Sequence, residues 1–198
     1  MSRALTIPDL VVLSLLAERA MHGYEVNLEL ERREVRDWAG VSRPQVYYSL
    51  EKLARMKYIK AAQTDAAAAG PERRVFSTTP AGGAALADAL DRDWWTTERD
   101  RPAFLTWMAL SWLARPGVFK RQLQRRRQFL EGELAREQAT LASVRREVGH
   151  DFHEAVWMLR LLIQQLQGEL RWLDRVAREA ARRAPARHPQ TPGRDVSV

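Results

Sequence analysis

At 198 residues and a net charge of +7, the chain can bury a real core in one domain or two small ones, and its charge points to a polyanionic partner or an anionic surface. Nearly all of the positive charge is arginine; the only lysines are Lys52, Lys57, Lys60 and Lys120. The lack of cysteine excludes disulfides, thiolate chemistry and Cys-based zinc sites, and fits a reducing cytoplasm.

The first apolar run, interrupted by Asp9 and ended by Glu18 and Arg19, is too short to span a bilayer and has no small-residue cleavage site. It reads as a core helix rather than a signal peptide, started at Thr6 to Asp9 and apolar over most of its circumference through Leu10, Val12, Leu13, Leu15 and Leu16. The chain is therefore expected in the cytoplasm, without a membrane partner. His22 and Gly23 break the run, a second helix follows to about Arg33, and residues 34–41 connect it to a third.

That third helix, in the stretch 41–60, is the most informative part of the chain. Ser42 and Gln45 have the spacing of a capping box, and Pro44 falls in the first turn, where a missing N–H costs nothing. Val46, Leu50 and Leu53 share one face, while Gln45, Tyr48, Ser49, Lys52 and Arg55 make a side able to bond bases or phosphates. Helix, helix, turn, helix is the order of a helix-turn-helix domain. Tyr58-Ile59 and Arg74 to Thr78 then read as two strands around a loop with Gly70 and Pro71, a two-stranded wing that places Arg73 and Arg74 against phosphates or a minor groove.

These residues resemble the PadR transcriptional regulators. Met21-His22-Gly23-Tyr24-Glu25 is similar to the family's HGYE signature, and Val46-Tyr47 with Leu50 and Leu53 resembles its recognition helix. Gly70-Pro71, Arg73 to Phe76 and Thr79-Pro80-Ala81-Gly82 resemble its wing and the LTPAG start of the next helix, so the likeness covers residues 6–90. Lys57 stands where the family usually has Gly, Tyr48 where Pro is common, and the Ala-rich wing is longer than usual.

From Ala81 a helix is expected through Leu86 and Leu90 to Trp94, and another from Ala103 to Leu113. Beyond Pro116 and Gly117 a long charged helix carries heptad positions at Leu123, Leu130, Leu134, Leu141, Val144 and Val148, up to Gly149. The last helix has an unbroken seam of Val156, Leu159, Ile163, Leu166, Leu170 and Leu173, which needs a partner helix. Residues 104–183 resemble the virulence-activator-like C-terminal domain of longer PadR proteins, and the resemblance implies that these helices form a dimer interface. The two heptad helices can also fold back on each other at Gly149, and two such hairpins can pair. Pro185 opens a polar tail with no apolar pattern, expected to be disordered.

No nucleophile elbow, Walker loop, H-E-x-x-H or Rossmann glycine set occurs, so neither catalysis nor a cofactor is expected. His150 and His153 lack the further ligands a metal needs, and Asp151 is the simpler N-cap for the last helix. Trp94, Trp95, Trp107 and Met108 read either as core or as a pocket for a flat aromatic or cationic effector; the resemblance implies an effector site without fixing its residues.

The expected architecture is mainly α: a winged helix-turn-helix with a linking helix over residues 1–98, a coiled-coil-like helical dimerisation domain over 99–184, and a tail over 185–198. The expected function is a ligand-responsive repressor, acting on double-stranded DNA as a homodimer at a palindromic operator. Gln45, Tyr48, Ser49 and Lys52 would meet bases, Ser42, Arg43 and Tyr47 phosphates, with Arg73 and Arg74 from the wing. The alternatives are a coiled-coil adaptor whose winged helix binds protein, and a basic amphipathic protein on a membrane surface.

Overall fold

The computed structural model describes residues 5–61, 74–98 and 102–185, apart from the side chain of Asp37. The expectations for Arg73, the tip of the wing and the tail beyond Pro185 lie outside the described residues. The chain divides into two compact units, Met1–Arg99 and Asp100–Val198.

The N-terminal unit is built on α1 (Ile7–Glu18), whose Leu10, Val12, Leu13, Leu15 and Leu16 are all buried. A helix apolar on nearly every side must be enclosed, and α1 packs on α2 (Gly23–Arg32), α4 (Arg43–Arg55), α5 (Pro80–Leu90) and the strand β3 (Val75–Thr78). Within the 34–41 connection a short α3 (Val35–Ala39) forms, ended by Gly40 at φ +63°.

The sheet has three antiparallel strands in the order β1–β3–β2, where two were expected. The added strand, β1 (Met21–His22), pairs Met21 with Phe76 and His22 with Val75; at two residues it is too short for any alternation in sequence to announce it. On the other edge β2 (Ile59–Ala61) aligns Ile59 with Thr78 and Lys60 with Ser77. Three helices start alike: the side chains of Asp9, Glu25 and Gln45 accept the backbone N–H of Thr6, His22 and Ser42, three residues upstream. The HGYE sequence is thus a strand-to-helix junction with Glu25 closing the first turn of α2.

The end of α4 explains two family positions. Lys57 has φ +60°, its N–H donates to the Ala54 carbonyl and the Tyr58 N–H to that of Leu53, the bonds of a Schellman motif. Glycine adopts this left-handed conformation without strain, so the position where the chain departs from the family resemblance, with Lys57 in place of Gly, is one that favours Gly. The Thr79 N–H donates to the Tyr58 carbonyl, its hydroxyl lies 2.8 Å from the Lys57 carbonyl and 3.1 Å from that of Tyr58, and its oxygen accepts the Gly82 N–H. A Cβ on Gly82 would stand 2.0 Å from the Tyr58 carbonyl oxygen.

The linking helix departs from expectation. It stops at Leu90 and a short α6 (Trp94–Thr97) restarts after it, because the Trp95 indole N–H takes the Ala89 carbonyl at 2.7 Å in place of a backbone donor.

In the C-terminal unit α7 (Ala103–Leu110) ends in a 3-10 turn at Ser111–Leu113, before the expected helix end has been reached by α-helical bonding. Helix α8 (Val118–Val148) spans 31 residues and α9 (Glu154–Glu179) 26, separated at Gly149, whose φ is +79°. They pack as a hairpin: Arg126 donates to both carboxylate oxygens of Glu169 at 2.7 and 2.9 Å, and Arg127 pairs with Asp174. Asp151 is not the N-cap of α9. It is drawn instead between Arg145 and Arg160, one from each helix, and His153 Nδ1 caps α9 by accepting the Ala155 N–H at 3.1 Å.

The hairpin covers four of the six residues of the expected dimer seam within one chain. Val156, Leu159, Ile163 and Leu173 are buried within the single chain. Leu173 centres a cluster with Leu123 and Leu130 of α8, on which Leu166 and Leu170 pack half-buried. The seam needed a partner helix, and the chain supplies its own.

At the close of α4, two substitutions have opposite expected effects. Gly82→Ala should lower stability by roughly 3 kcal/mol, because the clash is with backbone that cannot rotate away. Lys57→Gly should raise it by roughly 0.5–1 kcal/mol, the left-handed strain removed exceeding the entropy that glycine adds to the unfolded chain. Urea unfolding midpoints measure both.

Candidate nucleic-acid interface

Helix α4 begins at a cap in which Gln45 Oε1 accepts both the Ser42 N–H at 2.7 Å and the Ser42 hydroxyl at 2.8 Å. The Gln45 NH2 group remains without a hydrogen-bond partner among the described residues. Val46, Leu50 and Leu53 point inward with no exposed area. Ser42, Arg43, Pro44, Gln45, Tyr48, Glu51, Ala54 and Arg55 are exposed, Tyr48 to 54%, and Tyr47 is half-buried against the core.

Two residues expected to meet bases do not face solvent. Ser49 is buried, and the Lys52 side chain keeps only 9% of its exposure because its ammonium pairs with Asp9 of α1, itself 1% exposed. Helical spacing accounts for Ser49: three residues at about 100° each bring it within roughly 60° of Val46, on the flank of the apolar face. Lys52 lies farther round and is turned in by its acidic partner. Asp9 Oδ2 accepts the Lys52 ammonium together with the Thr6 N–H and hydroxyl, each of the latter at 2.8 Å. Burial by itself would raise the Asp9 carboxyl, but the bonds from Lys52 and Thr6 outweigh it and hold the group below its ordinary value.

What sequence reasoning passed over is Glu51, which shares the outer stripe with Pro44, Tyr48 and Arg55 at helical spacing. The signal was present in the positions opposite Val46, Leu50 and Leu53. Around this stripe the charges are unevenly matched. The Glu31 carboxylate lies 3.3 Å from both Arg36 and Arg43, and Arg33 is bound by Glu18 and Glu29. Arg55, Lys57, Lys60 and Arg74 have no ion pair among the described residues.

The proposed effector residues divide between the units. Trp94 and Trp95 stack at 3.9 Å in the N-terminal one. In the C-terminal one, Trp107 stacks on Phe104 and Phe119, and with Met108 packs on the Leu123, Leu130 and Leu173 cluster.

A three-helix core, a capped third helix of the motif with a polar outer stripe, and an antiparallel sheet behind it define a winged helix-turn-helix. It is PadR-like: residues 12–88 match the family described as Transcriptional regulator PadR-like. Among solved structures, Bacillus subtilis PadR in complex with operator DNA is similar at a TM-score of 0.71 and 15% identity, over 87% of this chain and 98% of that one. The PadR-like transcriptional regulator BC1756 from Bacillus cereus gives a TM-score of 0.64 at 18% identity, over 89% and 99%. Bacillus subtilis PadR in complex with p-coumaric acid gives 0.63 at 18%, with the same coverage. At these identities the likeness is one of fold. No curated protein matches the chain by sequence.

Lys52→Met should cost about 3–5 kcal/mol, since it leaves the Asp9 carboxylate buried without its cation. Because the folded Asp9 carboxyl is held down, its contribution in the native protein is complete above the unfolded value of about 4 and is lost as pH falls through the folded one. Urea unfolding from pH 7 to 3 should therefore show an acid-side loss of stability in the native chain that is reduced in Lys52→Met.

Proposed function

We propose that the chain is a sequence-specific repressor of transcription that binds a palindromic operator as a homodimer and responds to a small aromatic or cationic effector. The observation that carries this reading is the outer stripe of α4, polar and capped at its N-terminus, together with the exposed cations Lys60 of β2 and Arg74 just before β3, which have no ion pair among the described residues. A helix of this kind fits the major groove, and its N-terminus, with Ser42 and Arg43, suits phosphate. The Gln45 NH2 group and Tyr48 are then left to read base edges. Arg74 and Arg73, the latter outside the described residues, would contact phosphates or the minor groove. The operator DNA and p-coumaric acid held by the neighbouring Bacillus subtilis structures support a DNA partner and an aromatic effector here. No helix of the described residues is long and apolar enough to cross a membrane.

Selection of bound duplexes from a random pool by the purified chain should yield a palindrome, with affinity falling steeply in salt. On that selected site Arg43→Ala should weaken binding to all sequences and reduce the salt slope by about 0.9. Gln45→Glu keeps the capping acceptor but removes the donor, and should lose about 1–3 kcal/mol at one base position per half-site. An unselective pool, or binding indifferent to salt, would contradict the reading.

For the homodimer, the exposed apolar side chains of the C-terminal unit include two groups on helices: Leu105, Leu110 and Leu113 on and after α7, and Trp157 with Leu161 on the outer side of α9. Light scattering should show a dimer, and Asp at Leu110 and Leu113, or at Trp157 and Leu161, should give a folded monomer in at least one case. Ile163→Asp should instead unfold the hairpin. Dimers that persist in both surface variants would place the interface elsewhere.

A further inference from the structure

Glu51 is an exposed carboxylate in the middle of the stripe that the proposed function assigns to DNA, and it has no hydrogen bond or ion pair among the described residues. A bare carboxylate moved against a polyanion is unfavourable unless a donor meets it. Position decides which donors are in reach. From Pro44 to Glu51 the helix rises roughly 10 Å, which fits within a major groove about 12 Å wide. Arg55, about 6 Å farther on, falls beyond that span, at the level of the phosphate wall.

We infer that Glu51 is a specificity-determining residue that accepts the exocyclic amino group of a cytosine in each half-site; this rests on α4 entering the major groove. The base code favours cytosine over the other donor. The adenine amino group lies between two acceptors, its own N7 and the O4 of the paired thymine, and both repel a carboxylate. The cytosine amino group has an acceptor, guanine O6, on one side only. Guanine and thymine offer a carboxylate no donor on the groove edge, so Glu51 also selects against them. The acid lowers affinity for random DNA, where it faces phosphates and acceptors, and recovers the loss at its cognate base.

The experiment repeats the random-duplex selection with the native chain, Glu51→Ala and Glu51→Gln, and measures affinity for the selected duplex and for its single-base variants. The native chain should show one cytosine position per half-site with roughly 5- to 150-fold discrimination. In Glu51→Ala that preference should vanish and binding to unrelated duplex should tighten, with the other positions retained. Glu51→Gln should move the preference toward adenine, to which an amide bonds through N6 and N7. The inference is overturned if Glu51→Ala selects the same bases as the native chain, including the case in which affinity changes equally on every sequence because Glu51 acts only on Arg55. If the native chain selects no sequence at all, the DNA-binding reading itself fails, and that outcome is distinguishable because it appears before any variant is compared.

Discussion

A lysine and an aspartate paired inside the N-terminal unit, together with the buried face of Val46, Leu50 and Leu53, set which side of α4 meets solvent. Two charges in a core are costly to desolvate, and such a pair often stabilises less than apolar side chains of similar volume would. Its effect here is geometric. Asp9 is already fixed in the first turn of α1 by two bonds from Thr6, so the bond to Lys52 holds α4 at one rotation against α1. The same rotation turns Ser49 inward and leaves Arg43, Gln45, Tyr48 and Glu51 outside. The polar stripe is thus positioned by a contact that never reaches the surface.

The far end of α4 is fixed just as tightly. The Tyr58 carbonyl receives Thr79 and leaves no room for a side chain at Gly82, so the start of α5 and the edge of the sheet are held to the turn that closes α4. Lys57 occupies that turn in a left-handed conformation in which a Cβ is strained. The strain is local and is offset by the two backbone bonds of the turn.

Much of this was legible in the sequence because its causes are local. The caps at Thr6 and Ser42, the apolar set of Val46, Leu50 and Leu53, the break at Gly149 and the strand from Val75 each depend on residues within a turn or two of one another. Lys52 could not be read this way, since its partner is 43 residues away and a lysine on a polar face looks the same whether it is paired or solvated. The two-residue β1 and the interruption after Leu90 were hidden for a similar reason: one depends on a distant strand, the other on the indole of Trp95. The α9 seam was correctly seen as apolar, but a heptad pattern does not say whether its partner belongs to the same chain or another. Within one chain, α8 packs on α9 and the ion pairs Arg126–Glu169 and Arg127–Asp174 join the two helices.

The most direct test of this account is an NMR titration of the isotope-labelled full chain with the selected duplex, read at side chains as well as amides. The account predicts that the signals of Arg43, the Gln45 NH2 group, Tyr48 and Glu51 move with DNA, while the Lys52 ammonium and the Asp9 carboxyl stay at their free-protein positions. Large shifts at Lys52 and Asp9 without movement of Arg43, Gln45 or Tyr48 would mean that the buried pair opens, or that another face binds, and would contradict it.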